Sequence, residues 1–547
     1  MPRETANSPR IWPALLFVLL VAAVGGWVRW LIASSEILWL DELHTSWSVA
    51  GSLGEVYQRA LSGNQTPLYF WISWLSVEVF GETEFSLRLV SLIAGTGTII
   101  AAAWLVLRWT GSTIAAVVTS LLIALDVQFI YYATEARPYA LVQFLGVVQV
   151  ALFWRLINWY GPQIESVEAE SETAGSPELT GNSSQWVWLS LVTALLFYTH
   201  VTSAWLFAGE AIFVCIALLI GKSLKRLLLA SVVAAALCVP AFLQLGQLAA
   251  RRSNWSSVSS TPELLLQQAL PAGIWLLVPA AAILIAILSG KERGSPAVQK
   301  RLGNCQLGFV ALWALMPTVL VVAFDLLEVA PMALARYTLV GAAAMPIFAG
   351  LAIGFIDVRK IRLFLAIALI AVSLIWSPIT SGKFVTSGFD AGELPGLRWE
   401  DWKSPVDQIN ANQAKRNHPV LLASNLIEDV DALENSAAEF QAYVRFPVKG
   451  IYQIDTQTPS GTENETSSRQ VIAIPTLPGE HTRASDIETI KNSGGAWLIV
   501  RGTPELALEI EDEIVNEMAA QFPEAGQLKT VGFANPHSHV YLISFDW

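Results

Sequence analysis

The chain reads as an α-helical polytopic membrane protein of about eleven transmembrane helices with a C-terminal extracytoplasmic α/β domain, and three observations support that fold class. Hydrophobic residues fill 54% of the 547 positions and charged residues 14%, a balance that soluble globular chains do not show. The acidity is local: residues 381–547 hold 12 Lys and Arg against 24 Asp and Glu, so this stretch carries the whole net charge of −12. Lys and Arg also concentrate in alternate loops between the apolar runs, the bias that sets membrane orientation. The expected division is a membrane domain at 1–380 and a soluble domain at 381–547.

A run of roughly 20 apolar residues crosses about 30 Å of hydrocarbon at 1.5 Å per residue. Such runs lie at 11–33, 86–107, 113–131, 139–157, 186–198, 202–221, 224–245, 266–289, 305–324, 337–356 and 363–380. The first follows Arg3 and Arg10 and exceeds the apolar region of a cleaved leader, so it reads as a retained span. The fifth and sixth come from one long run that breaks at Tyr198-Thr199-His200-Val201-Thr202. With the N-terminus cytoplasmic, the inside loops carry Arg3, Arg10, Arg108, Arg155, Lys222, Lys225, Arg226, Lys291, Arg293, Lys300, Arg301, Arg359, Lys360 and Arg362. The outside loops carry fewer, and an odd number of spans puts the acidic tail outside. The Glu-rich stretch 161–185 reads as a flexible cytoplasmic linker.

The first outer loop, 34–85, holds Trp39-Leu40-Asp41-Glu42-Leu43-His44-Thr45-Ser46-Trp47 directly behind the first span. Carboxylates beside a bilayer are costly unless solvated or paired, so Asp41 and Glu42 mark a candidate site whose partners are basic residues on neighbouring loops. Farther along, Thr66–Leu75 is aromatic, apolar and too short to span, which suits a helix lying in the interface. Arg137, in Glu135-Ala136-Arg137-Pro138-Tyr139, falls at the outer end of the third span, while His200 and Arg336-Tyr337 fall at later outer turns. Asp41, Glu42, Arg137, His200 and Arg336 would together set carboxylates for proton abstraction beside cations able to grip a phosphate.

Cys215, Cys238 and Cys305 sit inside apolar runs and form neither a disulfide framework nor a metal-ligand pattern. No basic tract points to nucleic acid. In the tail, strands are expected at Val420–Ser424, Gly450–Ile454, Gln470–Ile474, Ala496–Arg501, Thr530–Phe533 and His539–Phe545, with a helix at Pro504–Phe522. His418, His481, His537 and His539 are scattered through it without a catalytic constellation.

These motifs resemble the GT-C glycosyltransferases that use polyprenyl-phosphate sugars, in the branch similar to protein O-mannosyltransferases and lipid A aminoarabinose transferases. Asp41-Glu42 looks like the family's Asp-Glu signature, Pro67-Leu68-Tyr69 like its interface helix, and Phe85–Ser91 like the start of its second span. Glu135–Leu141, Tyr198-Thr199-His200, Arg336-Tyr337 and Glu400-Asp401-Trp402-Lys403 follow in the family's order. Gln65-Thr66-Pro67 stands where the family usually has His-Pro-Pro, and Val90 where it has a proline.

The resemblance implies an envelope enzyme of the inner or plasma membrane that moves a sugar, with inversion, from a polyprenyl-phosphate donor to a hydroxyl of a glycan, lipid or protein acceptor. Asp41 would be the general base, with Glu42 beside it as a second catalytic carboxylate. Arg137, Arg336, Tyr139 and Tyr337 would bind the donor phosphate, and His200, Tyr69 and Glu135 would contact substrate. A divalent ion occurs in this class, although no ligand cluster in the sequence requires one. The rival reading is a multi-pass transporter or lipid flippase, favoured by Glu210 in the middle of its span.

Overall fold

The computed structural model describes residues 11–157, 184–219, 224–250, 297–327, 329, 335–356, 358–376, 400–426, 438–455, 469–474, 489, 491–521, 529–534 and 539–546. In chain order the helices are α1 (Ile11–Ser35), α2 (Leu40–Val49), α3 (Leu53–Ser62), α4 (Leu68–Phe80), α5 (Glu84–Thr110), α6 (Thr113–Leu125) and α7 (Val127–Ala133). They continue with α8 (Tyr139–Ile157), α9 (Gln185–Thr199), α10 (Ala204–Leu219), α11 (Lys225–Ala250), α12 (Ala297–Leu326), α13 (Ala344–Gly354) and α14 (Arg359–Trp376). The tail holds α15 (Lys403–Ala411), β1 (Val420–Ala423), α16 (Ala438–Tyr443), β2 (Val471–Ala473), β3 (Gly495–Arg501), α17 (Pro504–Gln521), β4 (Lys529–Ala534) and β5 (Val540–Asp546).

The expected spans fall wholly or partly on helix, 337–343 being 3-10 helix and turn ahead of α13, except 266–289, which lies outside the described residues together with 220–221, 377–380, most of the expected linker, His481 and His537. Among the described residues, six helical segments, in α1, α5, α8, α10, α11 and α12, are long and apolar enough to cross a membrane. α4, α6, α9 and Leu339–Gly354 are shorter apolar segments. The chain forms two compact units: Ala33–Leu89 groups with the tail, and the remaining helices form the other.

In the helical unit the core gathers Phe153, Leu196, Phe213, Phe309, Trp313 and Ile347 from α8, α9, α10, α12 and α13. The run 113–131, expected as one span, is two helices because Asp126 ends α6 and its carboxylate accepts from the Phe129 N–H at 3.2 Å as the N-cap of α7. Such a break strands carbonyls at the end of α6, which is costly where no water reaches. Arg29 on α1 meets them, donating from Nη2 to Ile123 O at 3.0 Å and from Nη1 to Ala124 O at 3.4 Å while fully buried. Helices also approach closely at small residues: a Cβ on Gly350 would lie 2.0 Å from Thr119 Oγ1 on α6.

In the second unit, α4 buries Tyr69, Phe70, Ser73 and Ser76 and exposes Ile72, Leu75, Val79 and Phe80. The exposed apolar stripe is what an interfacial helix presents to lipid. Gly81, at φ +82°, ends it, a conformation that needs no Cβ. The tail sheet runs β2-β1-β3-β5-β4, with β1 parallel to β2 and β3, and β5 antiparallel to β3 and β4. β1 is buried at every position, as a covered parallel strand is, and Ala507, Ile510 and Ile514 of α17 pack over the sheet.

The strand expected at Gly450–Ile454 is absent, and the segment is turn and irregular backbone. Its groups are committed elsewhere: Ile451 N donates to Ser46 Oγ at 2.7 Å, the Tyr452 hydroxyl accepts from Leu38 N at 3.1 Å, and Ile454 N turns back to Val448 O. Apolar alternation by itself does not reveal such pairing with a distant loop.

The close approach at Gly350 has a measurable consequence. Gly350→Ala should destabilise the helical unit by about 1–3 kcal/mol through overpacking, read as a lower thermal midpoint in detergent. An unchanged midpoint would show that α6 and α13 separate freely at this point.

Candidate active site

Chain connectivity brings Asp41 and Glu42 to the first turn of α2, which four residues, 36–39, separate from the end of α1. The N-terminal end of a helix carries unpaired N–H groups and positive potential, which favours carboxylates there. Glu42 folds inward, so that its side chain is fully buried and meets an equally buried Arg88. Arg88 Nε donates to Oε1 at 2.7 Å and Nη2 to Oε2 at 2.6 Å, the two-pronged arrangement suited to a guanidinium. Oε2 also accepts from Trp39 N at 3.4 Å, the N-cap amide of α2.

The remaining Arg88 donors serve the end of α1. Nη1 donates to Ala33 O at 2.6 Å and Glu36 O at 2.7 Å, and Nη2 to Ile37 O at 3.1 Å. A guanidinium has five N–H donors, and here all are engaged. Arg88 thus satisfies the carbonyls where α1 ends and, through Glu42, fixes where α2 begins. Asp41, the neighbour of Glu42, remains partly exposed. Tyr69 is fully buried in α4, edge-on to Phe70 with ring centroids 5.8 Å apart.

In the helical unit, three segments distant in sequence converge. Residues 134–138 link α7 to α8, with Arg137 N donating to Glu135 O at 2.8 Å and Ser91 Oγ on α5 donating to Arg137 O at 3.0 Å. Glu135, Arg137, Tyr139 and His200 are all buried. The Tyr139 ring lies 5.1 Å from Tyr132 and 5.8 Å from His200, and His200 lies 6.2 Å from Tyr337. The Arg336 guanidinium sits 5.4 Å from the Tyr337 ring centroid, in cation–π range. His200, in the turn between α9 and α10, pairs its Nδ1 with Thr202 Oγ1 at 2.8 Å. Burial first, then the guanidiniums of Arg137 and Arg336, push its imidazole down to about 3. His200 is therefore a neutral hydrogen-bonding group and not a third cation.

The sequence candidates thus fall in two sets, Asp41, Glu42 and Tyr69 in one unit and Glu135, Arg137, Tyr139, His200, Arg336 and Tyr337 in the other. Arg88 is not among the sequence candidates, although it stands inside the motif Phe85–Ser91. Among the described residues no group of three or more His, Cys, Asp and Glu side chains is arranged to hold a metal.

Residues 64–158 match the family model for dolichyl-phosphate-mannose-protein mannosyltransferase. That stretch includes Tyr69, Arg88, Glu135, Arg137 and Tyr139 and leaves Asp41 outside. No curated protein matches the chain in sequence. Among solved structures the chain is similar to ArnT from Cupriavidus metallidurans bound to undecaprenyl phosphate, with 14% identity, a TM-score of 0.50, and coverage of 96% of this chain and 97% of that one. It is also similar to the Archaeoglobus fulgidus oligosaccharyltransferase in its apo form, with 13% identity, a TM-score of 0.47, and coverage of 97% and 74%. The likeness to ArnT shows a shared fold.

Removing one partner of the buried pair leaves the other charge uncompensated. Arg88→Met should cost about 3–5 kcal/mol, whereas the double variant Arg88→Met with Glu42→Gln should cost less than the sum of Arg88→Met and Glu42→Gln taken singly. Thermal unfolding of the three variants measures the coupling. Strict additivity would mean that the two residues act independently.

Proposed function

We propose that this chain, a membrane glycosyltransferase of the GT-C class, moves a sugar from a polyprenyl-phosphate-linked donor to an acceptor hydroxyl on the outer side of the membrane, with inversion. Asp41 takes the proton of the attacking hydroxyl as its oxygen bonds to the anomeric carbon. The bond from that carbon to the phosphate oxygen breaks on the opposite face, and the lipid phosphate leaves with its charge. Inversion follows from the single displacement.

One contrast between adjacent side chains carries this assignment: Glu42 is fully buried in the grip of Arg88, while Asp41 beside it is partly exposed. A base must reach the proton that it takes. Glu42 accordingly positions and Asp41 reacts. Arg137 and Arg336, with Tyr139 and Tyr337, receive the donor phosphate, because guanidiniums keep their charge and match phosphate oxygens two at a time. Neutral His200, Glu135 and Tyr69 shape the substrate sites. The donor class draws on the family match and on the undecaprenyl phosphate bound by ArnT. The Lys and Arg pattern supports a cytoplasmic N-terminus and an external tail.

The transporter reading rests on Glu210, buried on α10. Gln149 on α8 donates to Glu210 Oε2 at 3.1 Å and to Thr193 Oγ1 at 3.4 Å on α9, a tether that joins three helices and supports a packing role.

Transfer of labelled sugar from a polyprenyl-phosphate donor by the purified protein tests the activity. Asp41→Asn should lower turnover by roughly 10²–10⁴-fold with donor affinity retained. Normal transfer by the folded Asn variant would end the mechanism. In the same assay Arg137→Lys should weaken donor binding, since an ammonium cannot make the two-pronged contact; wild-type donor affinity in that variant would place the phosphate elsewhere.

A further inference from the structure

The acidic tail holds α2 at its start, middle and side. At the start, Glu400 Oε2 accepts from Leu40 N at 2.9 Å, the first amide of α2 and the one immediately before Asp41. Trp402 Nε1 donates to the same oxygen at 2.9 Å from a fully buried ring. Glu400 Oε1 accepts from Arg501 Nε at 2.8 Å, and Arg501 closes β3 and reaches Asn425 O with Nη1 at 3.2 Å. Glu400 itself is 10% exposed, so these charge-assisted bonds are shielded from competing water.

At the middle, Ser46 Oγ donates to Glu82 Oε1 at 3.1 Å and accepts from Ile451 N at 2.7 Å. The backbone comes so close at Gly450 that a Cβ would lie 2.3 Å from Ser46 Oγ. On the side, His44 packs against Phe446 and Tyr443 with ring centroids 5.3 Å and 5.9 Å apart, and Trp47 lies 6.2 Å from Phe446. Just ahead of α2, Leu38 N donates to the Tyr452 hydroxyl.

A helix N-terminus requires acceptors for its first amides, and α2 takes one of them from a residue 360 positions away in the chain. Asp41 cannot turn about the helix axis or shift along it without breaking that bond. We propose that the tail is a brace for the Asp41 helix, with Glu400 a positioning residue that sets Asp41 through the Leu40 amide and Arg501 the strut that holds Glu400. The proposal rests on Asp41 being the base.

The test compares the full-length wild type with Glu400→Ala, Glu400→Gln and Arg501→Gln, using hydrogen exchange across residues 40–49 and steady-state sugar transfer. Glu400→Ala should speed exchange in α2 while leaving α8 and α12 protected, and should lower kcat on the order of tenfold with the donor KM unchanged, a loss typical of a reacting group shifted by less than an ångström. Glu400→Gln keeps a carbonyl acceptor for Leu40 N and should recover part of both readouts. Arg501→Gln should fall between wild type and Glu400→Ala. Unaltered exchange in α2 overturns the brace whatever the rates, and so does loss of protection throughout the helical unit, which would mark Glu400 as generally structural. Normal transfer by Asp41→Asn overturns the base reading alone, and the exchange data still decide the brace.

Discussion

The Arg88–Glu42 pair is the interaction on which the first outer loop depends. Two charges fully removed from water are costly, and their attraction offsets that cost only with good geometry and with every remaining donor satisfied. Arg88 meets both conditions, since its two-pronged contact with Glu42 is accompanied by bonds to Ala33, Glu36 and Ile37 carbonyls. One side chain on α5 therefore ends α1, starts α2 and sets the direction of the short connection between them. The exposure of Asp41 follows, because its neighbour in the first turn of α2 is already turned inward.

The same device recurs in the helical unit. Arg29 lies fully buried on α1 and donates to the carbonyls left at the end of α6 where Asp126 interrupts the helix. Backbone groups at membrane depth need internal partners, and an arginine can supply several from one position. Arg29 and Arg88 spend their donors on carbonyls and a carboxylate of the chain itself, whereas Arg336 is partly exposed over the face of Tyr337.

Charge of one sign is brought together in the helical unit, with Arg137 buried and Arg336 partly exposed. Burial first, then Arg137 and Arg336, keep the His200 imidazole neutral. Aromatic rings from Tyr132, Tyr139 and Tyr337 line the same region.

The sequence alone determined the membrane class, the position of the long apolar helices and most tail strands, because these depend on local length, periodicity and composition; the short helices α2, α3, α15 and α16 lack that signal. It also picked out Asp41, Glu42, Arg137, His200 and Arg336, since ionisable groups at the ends of apolar runs stand out against their surroundings. Only tertiary structure decided that Glu42 is locked by Arg88, that the run at 113–131 breaks at Asp126 with Arg29 serving the break, and that 450–454 grips α2 in place of forming a strand. Each of these is a pairing between residues far apart in the chain. Composition shows that a buried charge or an unpaired amide needs a partner, and the fold alone supplies which one.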